Sequence, residues 1–462
     1  MTSLPTIPEF YNGRSVLITG ATGFMGKALV EKLLRSCPDL KTCYILIRPK
    51  KGKDIEQRLE ELLNSKLFNK LRSDQPDFRH KVVPITGDIL HSNLGISQSD
   101  EKLLIENTTI VFHSAATVKF DEEMKLSVEM NVVGVQRVIE FCKKLKKVEA
   151  FVHVSTAYAN CDKKNVDESI YEPPLHPRKL MDAVEWMDKD VLETLTPKMG
   201  WVDNFNGPTG LLAAGDFDAT ADIIPVDLAC NLMIAAAWYR GTHKSNDIPV
   251  FHSTTGSINR LTWGNVERMS YEYFMKNPVN TVSRIPNPRF TKSAVWHDLN
   301  ILFDHLIPAY LMDFYMWISG KRPIFVKIQD RLRKAVASLD FFTSREWNFS
   351  TTNMYMLLGK MSEEDRKVFN FDPKCIDWRS YMEYYCLGTK RFVLKEEIEE
   401  LPRARKTLRR LQQLNYIVNI MIIIVVWRLL MNRVAVAKSL WNLVIRGAMK
   451  VFMKLPRVVK SA

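Results

Sequence analysis

The chain has 462 residues, 46% of them apolar and 25% charged, which is enough for two or three domains with a large core and excludes a disordered or fibrous class. Much of its net charge of +13 lies after Arg403, around a very apolar run, and so favours a membrane surface over nucleic acid. Seven scattered cysteines with no C-x-x-C pair exclude a zinc ribbon and a disulfide framework and fit a reducing compartment. The polar start, Met1 to Asn12, has no apolar signal region, so the N-terminal domain is expected to stay on the cytosolic side.

In chain order, Ser15-Val16-Leu17-Ile18-Thr19 reads as an apolar strand running into Gly20-Ala21-Thr22-Gly23-Phe24-Met25-Gly26, followed by an apolar-periodic helix. This is the first strand-to-helix turn of a doubly wound nucleotide-binding sheet. Gly20 permits the tight turn, Gly23 lets a pyrophosphate approach the helix N-terminus, and Gly26 allows close packing of helix on strand. Thr19, Thr22, Phe24 and Met25 complete the candidate loop. A second strand, Cys43 to Ile47, ends in Arg48, with Lys50, Lys51 and Lys53 beyond. A carboxylate there suits a ribose 2′-hydroxyl; cations suit a 2′-phosphate, hence NADPH.

A helix is expected over Glu56 to Phe68, and a third strand, Val82 to Ile85, leads to Asp88, a candidate for the adenine amino group. The fourth strand, Thr109 to His113, runs into Ser114-Ala115-Ala116, where small residues let a cofactor lie against the strand end; His113 itself is expected to be packed. Asn131 is expected to open a helix to Lys147. The fifth strand, Ala150 to Val154, ends in Ser155-Thr156-Ala157-Tyr158, placing two hydroxyls where parallel sheets bind ligands.

These motifs resemble the extended short-chain dehydrogenase/reductases. With Gly200-Trp201-Val202-Asp203-Asn204-Phe205-Asn206-Gly207-Pro208-Thr209-Gly210 and Ile224-Pro225-Val226-Asp227 they resemble, more narrowly, the alcohol-forming fatty acyl-CoA reductases of the animal and insect type. The resemblance implies a Rossmann-type domain, a smaller helical C-terminal domain and a membrane anchor. It also implies reduction of a long-chain fatty acyl-CoA by NADPH, through an aldehyde-level species, to a primary alcohol. Ser155 and Thr156 are then candidate catalytic donors to the carbonyl oxygen.

One departure is plain. The family's Tyr-x-x-x-Lys pair, which puts tyrosine and lysine on one helix face, occurs nowhere in the chain. A helix is expected over Arg178 to Thr194; after Lys198 the sequence then passes directly to Met199-Gly200-Trp201, where the family has a catalytic helix and a strand. The chain as written is therefore expected to be weakly active or inactive, through alternative splicing or an error in the gene model. Two other classes stay open: a catalytically silent NADP-binding membrane protein, and another extended reductase such as a sterol dehydrogenase or epimerase.

Beyond, Leu228 to Trp238 reads as an apolar helix and Val250 to Ser253 as a further strand. The divisions expected are 1–265 for the reductase domain, with its internal junction at 198/199, 266–400 for the helical domain, and 401–462 for a basic, apolar tail. Ala294 to Ser319 is apolar and aromatic but carries five charged or histidine side chains, which suits a substrate-covering or surface-lying helix better than a span. His297, Asp304 and His305 lack zinc-motif spacing, and no metal is expected. Leu414 to Met431 has the length of a transmembrane helix; the resemblance implies the endoplasmic reticulum or peroxisome, with the reductase domain expected to face the cytosol.

Overall fold

The computed structural model describes residues 4–433 except 51, 119–121, 189, 193–211, 215, 281–288, 292–301, 303–305, 331–340 and 397–399. The junction at 198/199 and the Trp201 to Gly210 motif therefore lie outside the described residues, as do His297, Asp304 and His305. The described residues fall into two compact units: one formed from those within 4–192, 212–268 and 289–381, the other from those within 269–280 and 382–433.

The first unit is built on a five-stranded parallel sheet of β1 (Ser15–Thr19), β2 (Thr42–Ile47), β3 (Val82–Thr86), β4 (Ile110–His113) and β5 (Ala150–His153). Its order is β3-β2-β1-β4-β5. The direction of winding reverses between β1 and β4, the switch point at which such sheets hold ligands. Both faces are covered, so the strands are nearly continuous apolar runs rather than alternating ones. On one face α1 (Ile7–Tyr11), α2 (Phe24–Ser36) and α3 (Ile55–Leu63) supply Tyr11, Leu29, Leu33 and Leu59 to the core. α4 (Asn69–Asp74) adds Leu71. On the other face α5 (Gln98–Asn107) supplies Leu104.

The expected helix from Glu56 stops at Leu63. The Leu63 carbonyl accepts from Arg72 Nη1 at 2.5 Å, and a short 3₁₀ turn, Lys66–Phe68, follows. The helix expected to open at Asn131 begins earlier. α6 (Met124–Val128) passes through a π-turn, Glu129–Val133, into α7 (Gly134–Cys142), and the Gly134 N–H reaches back to the Glu129 carbonyl. The helix expected over Arg178 to Thr194 is α8 (Pro177–Trp186), which ends at Met187.

Past β6 (Asn165–Val166) and β7 (Leu212–Ala214), which pairs with the later β8 (Arg289–Thr291), α9 (Val226–Thr242) is buried on almost all sides, which is why it shows no amphipathic stripe. The expected strand Val250 to Ser253 does not form. The backbone groups a ladder would use are taken by side chains instead: His252 N–H donates to the Glu168 carboxylate at 2.9 Å, and the Val250 carbonyl accepts from Asn353 Nδ2 at 3.0 Å. Among the described residues β5 has one sheet neighbour, β4, and its other edge carries no strand.

α10 (Trp263–Lys276) and α11 (Ile307–Ile318) follow. Next come β9 (Asn348–Phe349), α12 (Thr352–Lys360) and α13 (Glu363–Val368). The aromatic segment from Phe341, read from sequence as part of a separate helical domain, feeds the same core as the sheet. Leu357, Phe369 and Phe371 pack in one cluster with Ile7, Leu29 and Trp238. Asp365 fastens it, its two carboxylate oxygens accepting from the Ile7 N–H at 3.1 and 3.2 Å.

α14 (Trp378–Gly388) leads to the second unit, whose main element is α15 (Leu401–Arg433). Its first turns are packed: Leu408 is buried with Val279, and Arg405 Nε donates to the Lys276 carbonyl at 2.8 Å. From Leu414 to Leu429 nearly every apolar side chain is exposed. Leu401–Leu429 is the one helix among the described residues long and apolar enough to cross a membrane.

Candidate functional site

The site is assembled at the C-terminal ends of β1, β2, β4 and β5. Gly20 leaves β1 at φ +75°, where an added Cβ would lie 2.7 Å from the Ala115 nitrogen. At Gly26 a Cβ would meet the Gly20 carbonyl oxygen at 2.2 Å. Both positions therefore admit no side chain, one for conformation and closeness to the β4 loop, the other for helix-on-strand contact. Gly23 caps α2 with no side-chain hydrogen bond. Its neighbour Phe24 is 81% exposed and Thr22 half-buried, so the helix N-terminus opens outward with unsatisfied N–H groups. A diphosphate fits this cradle: bare amides, a favourable dipole and no carboxylate in the first helical turn.

Arg48 follows β2 directly and is largely exposed, its Nε 3.9 Å from Asp88 Oδ2. Asp88 is held by its own turn, Oδ1 accepting from the Leu90 N–H at 3.1 Å. Lys53 is ion-paired with Glu61. One cation that sequence reading missed joins Arg48: Arg58, on α3, donates from Nη1 to the Arg48 carbonyl. Its signal is the ten-residue return from the strand end to the first turn of the next helix, legible only once Asp54 is known to cap that helix.

At the centre of the sheet, Thr19 Oγ1 and His113 Nδ1 are 2.6 Å apart and both side chains are fully buried. Burial, and then the neighbouring His153 imidazole, lower the His113 pKa to about 4, so it is a neutral packing residue near pH 7. Ser114 Oγ donates to the Thr19 carbonyl at 2.9 Å, and the Ala115 N–H to Thr19 Oγ1 at 3.4 Å. Ala115 is half-buried and Ala116 exposed beside Gly20. The following residue, Thr117, is gripped on both backbone groups by Asn131: its N–H donates to Oδ1 at 2.9 Å and its carbonyl accepts from Nδ2 at 3.0 Å. The π-turn is what aims Asn131 there.

Ser155 and Thr156 are exposed at the end of β5. Thr156 Oγ1 accepts from the Tyr158 N–H at 3.3 Å, capping a short 3₁₀ turn. Tyr158 does not replace the missing tyrosine. Its ring meets Phe342, Trp347 and Phe349 edge-on at centroid distances of 5.0, 5.2 and 5.6 Å. Burial, and then the nearby Asp222 carboxylate, push its phenol above the usual range, the reverse of what a proton donor near neutral pH needs. Asp222 is itself raised by burial. It accepts from the Thr255 N–H at 2.6 Å and from the Thr255 hydroxyl at 3.1 Å, which fixes the loop after 250–253. Among the described residues no three His, Cys, Asp or Glu side chains gather as metal ligands.

The strand ends thus carry an uncapped glycine turn, exposed Arg48 beside Asp88 and two exposed hydroxyls, and the sequence has no Tyr-x-x-x-Lys pair. Two family models, both described as "Male sterility protein", match the chain: an NAD-binding one over residues 18–198 and a second over 304–396. The first match ends at Lys198, where the sequence reading places the junction. Fatty acyl-CoA reductase 1 of Homo sapiens is 39% identical over 495 residues, covering 95% of this chain and 96% of that protein. Its Gallus gallus counterpart is 40% identical over the same shares. Fatty acyl-CoA reductase 2 of Bos taurus is 36% identical over 95% of this chain and 96% of its own length. An alignment of 495 positions exceeds the 462 residues here, so at least 33 positions of the human protein face no residue of this chain. Among solved structures, the terminal R domain from the myxalamid PKS-NRPS biosynthetic pathway has a similar fold, with a TM-score of 0.53 at 18% identity over 85% of this chain and 94% of that one. The reductase domain of a non-ribosomal peptide synthetase from Mycobacterium tuberculosis gives 0.51 at 16% identity over the same shares.

Proposed function

This chain belongs to the fatty acyl-CoA reductase family, and from that premise we propose that it descends from an enzyme reducing long-chain fatty acyl-CoA to primary alcohol with NADPH, and keeps the cofactor-binding half of that machinery without its proton-transfer half. The observation that carries the reading is the cradle at the end of β1, where Gly20 and Gly26 leave no room for a Cβ and α2 opens uncapped. Thr19, Gly20, Thr22, Gly23, Phe24, Met25 and Gly26 would hold the diphosphate, Arg48 the 2′-phosphate with Arg58 behind it, Asp88 the adenine amino group, and Ala115 and Ala116 the face of the nicotinamide half. Bound there, NADPH supplies a hydride for each of two reductions, thioester to aldehyde level and aldehyde to alcohol.

Each reduction develops negative charge on a carbonyl oxygen, and Ser155 and Thr156, exposed at the end of β5, are the hydroxyls that would donate to it. The proton that must follow lacks the family's donor: no Tyr-x-x-x-Lys exists in the sequence, and Tyr158 is packed and pushed the wrong way. These two facts favour a second reading for the chain as it stands, a membrane-held protein that binds NADPH and turns it over poorly or not at all. α15 would tether it through Leu414 to Met431, to the endoplasmic reticulum or the peroxisome, with the sheet unit in the cytosol where acyl-CoA and NADPH are both found. The test is to titrate the full chain in detergent with NADPH and, in parallel, to assay alcohol product from a long-chain acyl-CoA. Saturable NADPH binding with little product supports the reading. No NADPH binding overturns it.

A further inference from the structure

α11 is a twelve-residue helix with apolar side chains on nearly every side, yet only Ala309 of it is buried. Tyr310, Leu311, Phe314, Tyr315, Trp317 and Ile318 are each more than half exposed. A helix apolar all round belongs in a protein core or in lipid. At 1.5 Å per residue it spans about 18 Å, too short to cross a bilayer and of the length found in interfacial segments. Its one charged residue is hydrogen-bonded locally. Asp313 Oδ1 accepts from the Ile324 and Phe325 N–H groups at 2.8 Å each, and Oδ2 from Val326 N–H at 2.9 Å. The chain folds back through Gly320, at φ +70°, and the same carboxylate caps the helical stretch 325–330, so Asp313 reaches an apolar surface already hydrogen-bonded.

The turn between the two helices carries exposed Lys321 and Arg322, with exposed Lys327 one turn on. These three cations beside an apolar surface complement anionic headgroups. Tyr310, Tyr315 and Trp317 are the amphipathic aromatics that settle at the headgroup level. A folded partner presents one face and would cover one side of the helix; exposure on almost every side asks for a surrounding that behaves as a solvent. We propose that α11 and its basic turn form an interfacial membrane element, lying in the plane of the headgroup–acyl boundary of an anionic bilayer, as a contact separate from the α15 tail. Lys321 and Arg322 sit at the phosphates, Tyr310, Tyr315 and Trp317 at the headgroup–acyl boundary, and Leu311, Phe314 and Ile318 among the upper acyl chains.

The test uses the full chain reconstituted in phosphatidylcholine–phosphatidylserine vesicles whose phosphatidylcholine is brominated high on the acyl chain. The chain has 10 tryptophans, so the signal is the difference between wild type and Trp317→Phe. More than about half of that difference is expected to be quenched by bromolipid and little of it by aqueous iodide. Leu311→Trp should add a signal quenched in the same way, which keeps the test readable if the first variant folds poorly. Lys321→Glu with Arg322→Glu should reduce the quenching in anionic vesicles. A difference signal quenched by iodide and not by bromolipid puts Trp317 in water. A signal quenched by neither puts it under protein, whether this chain or a second copy. Either result overturns the proposal, and neither depends on whether α15 resists extraction.

Discussion

Thr19 and His113 meet across β1 and β4 in a buried hydrogen bond of 2.6 Å, leaving His113 Nε2 with no partner. Because Thr19 Oγ1 already accepts from the Ala115 N–H, the imidazole is locked into the junction from which the cofactor loop and the Ser114 to Thr117 loop both depart. Its depressed pKa makes it a stability switch. The unfolded histidine takes a proton near 6.5 and the folded one near 4, so the folded state is fully favoured above about pH 6.5 and loses stability as pH falls toward 4. The span corresponds to at most about 3 kcal/mol. His113→Gln should flatten the fall of the thermal midpoint between pH 6.5 and pH 4 relative to wild type. Parallel curves for the two proteins would show that the acid sensitivity comes from elsewhere.

Gly26→Ala should cost more than about 2 kcal/mol, because the new Cβ would sit 2.2 Å from backbone that cannot move without tilting α2 off the sheet. Gly52→Ala is the control. Gly52, unlike the helical Gly26, has positive φ, at +81°, but nothing lies within 4 Å of its Cβ, so its cost is conformational strain alone. Chemical denaturation of both variants should place Gly26→Ala well below Gly52→Ala, and NADPH binding should be lost in the former only.

Arg48→Glu should weaken NADPH by at least tenfold, about 1.4 kcal/mol, while leaving NADH within twofold. Arg58→Ala should move NADPH affinity in the same direction by a smaller amount, since its guanidinium reaches the strand end through the Arg48 carbonyl. Equilibrium titration of each variant with both nucleotides separates the two. Unchanged preference in both would remove this strand end from cofactor choice.

Restoring a family-like helix and strand between Lys198 and Met199 should raise alcohol production by about 10²- to 10⁴-fold, the usual worth of a placed proton donor. It should also raise soluble yield, because β5 then gains a neighbour at the edge that carries no strand among the described residues. Equal turnover with and without the insert would locate the proton donor within the present chain.

α15 has 33 residues, about 50 Å of helix, longer than a bilayer core requires. Its first turns are docked through Ala404 and Leu408, so a truncation that spares the fold must end after Gln413 rather than at Glu400. Carbonate should release the form ending at Gln413 and leave the full chain in the pellet.

The local geometry of the proposed cofactor end was open to sequence reasoning because each part is local: the glycine spacing, the strand ending in Arg48, and the small residues after His113 lie within a few positions of the strands that aim them. The parts that escaped are long-range. Nothing near Tyr158 in the sequence announces Phe342 and Trp347, which bury it from 184 and 189 positions away. Val250 to Ser253 has strand composition, and only the folded chain shows Glu168 and Asn353 taking its backbone groups. Likewise, Phe369 and Phe371 look like a separate domain's core until Asp365 is seen fastened to the backbone of Ile7.

The π-turn at Glu129–Val133 also sets a rotational phase. An α-helix advances about 100° per residue, and one extra residue in a turn is what swings the upstream helix into place. Removing a single residue, Val133 for instance, would return the helix to its regular winding and rotate everything before it by about 100° against the fixed sheet. Asn131 would then face away from Thr117, and the loop that follows β4 would lose both of its backbone clamps at once. Substitutions at half-buried Val133 that keep its size should be tolerated far better than its deletion, so this helix encodes the shape of the proposed cofactor pocket in residue count more than in residue identity.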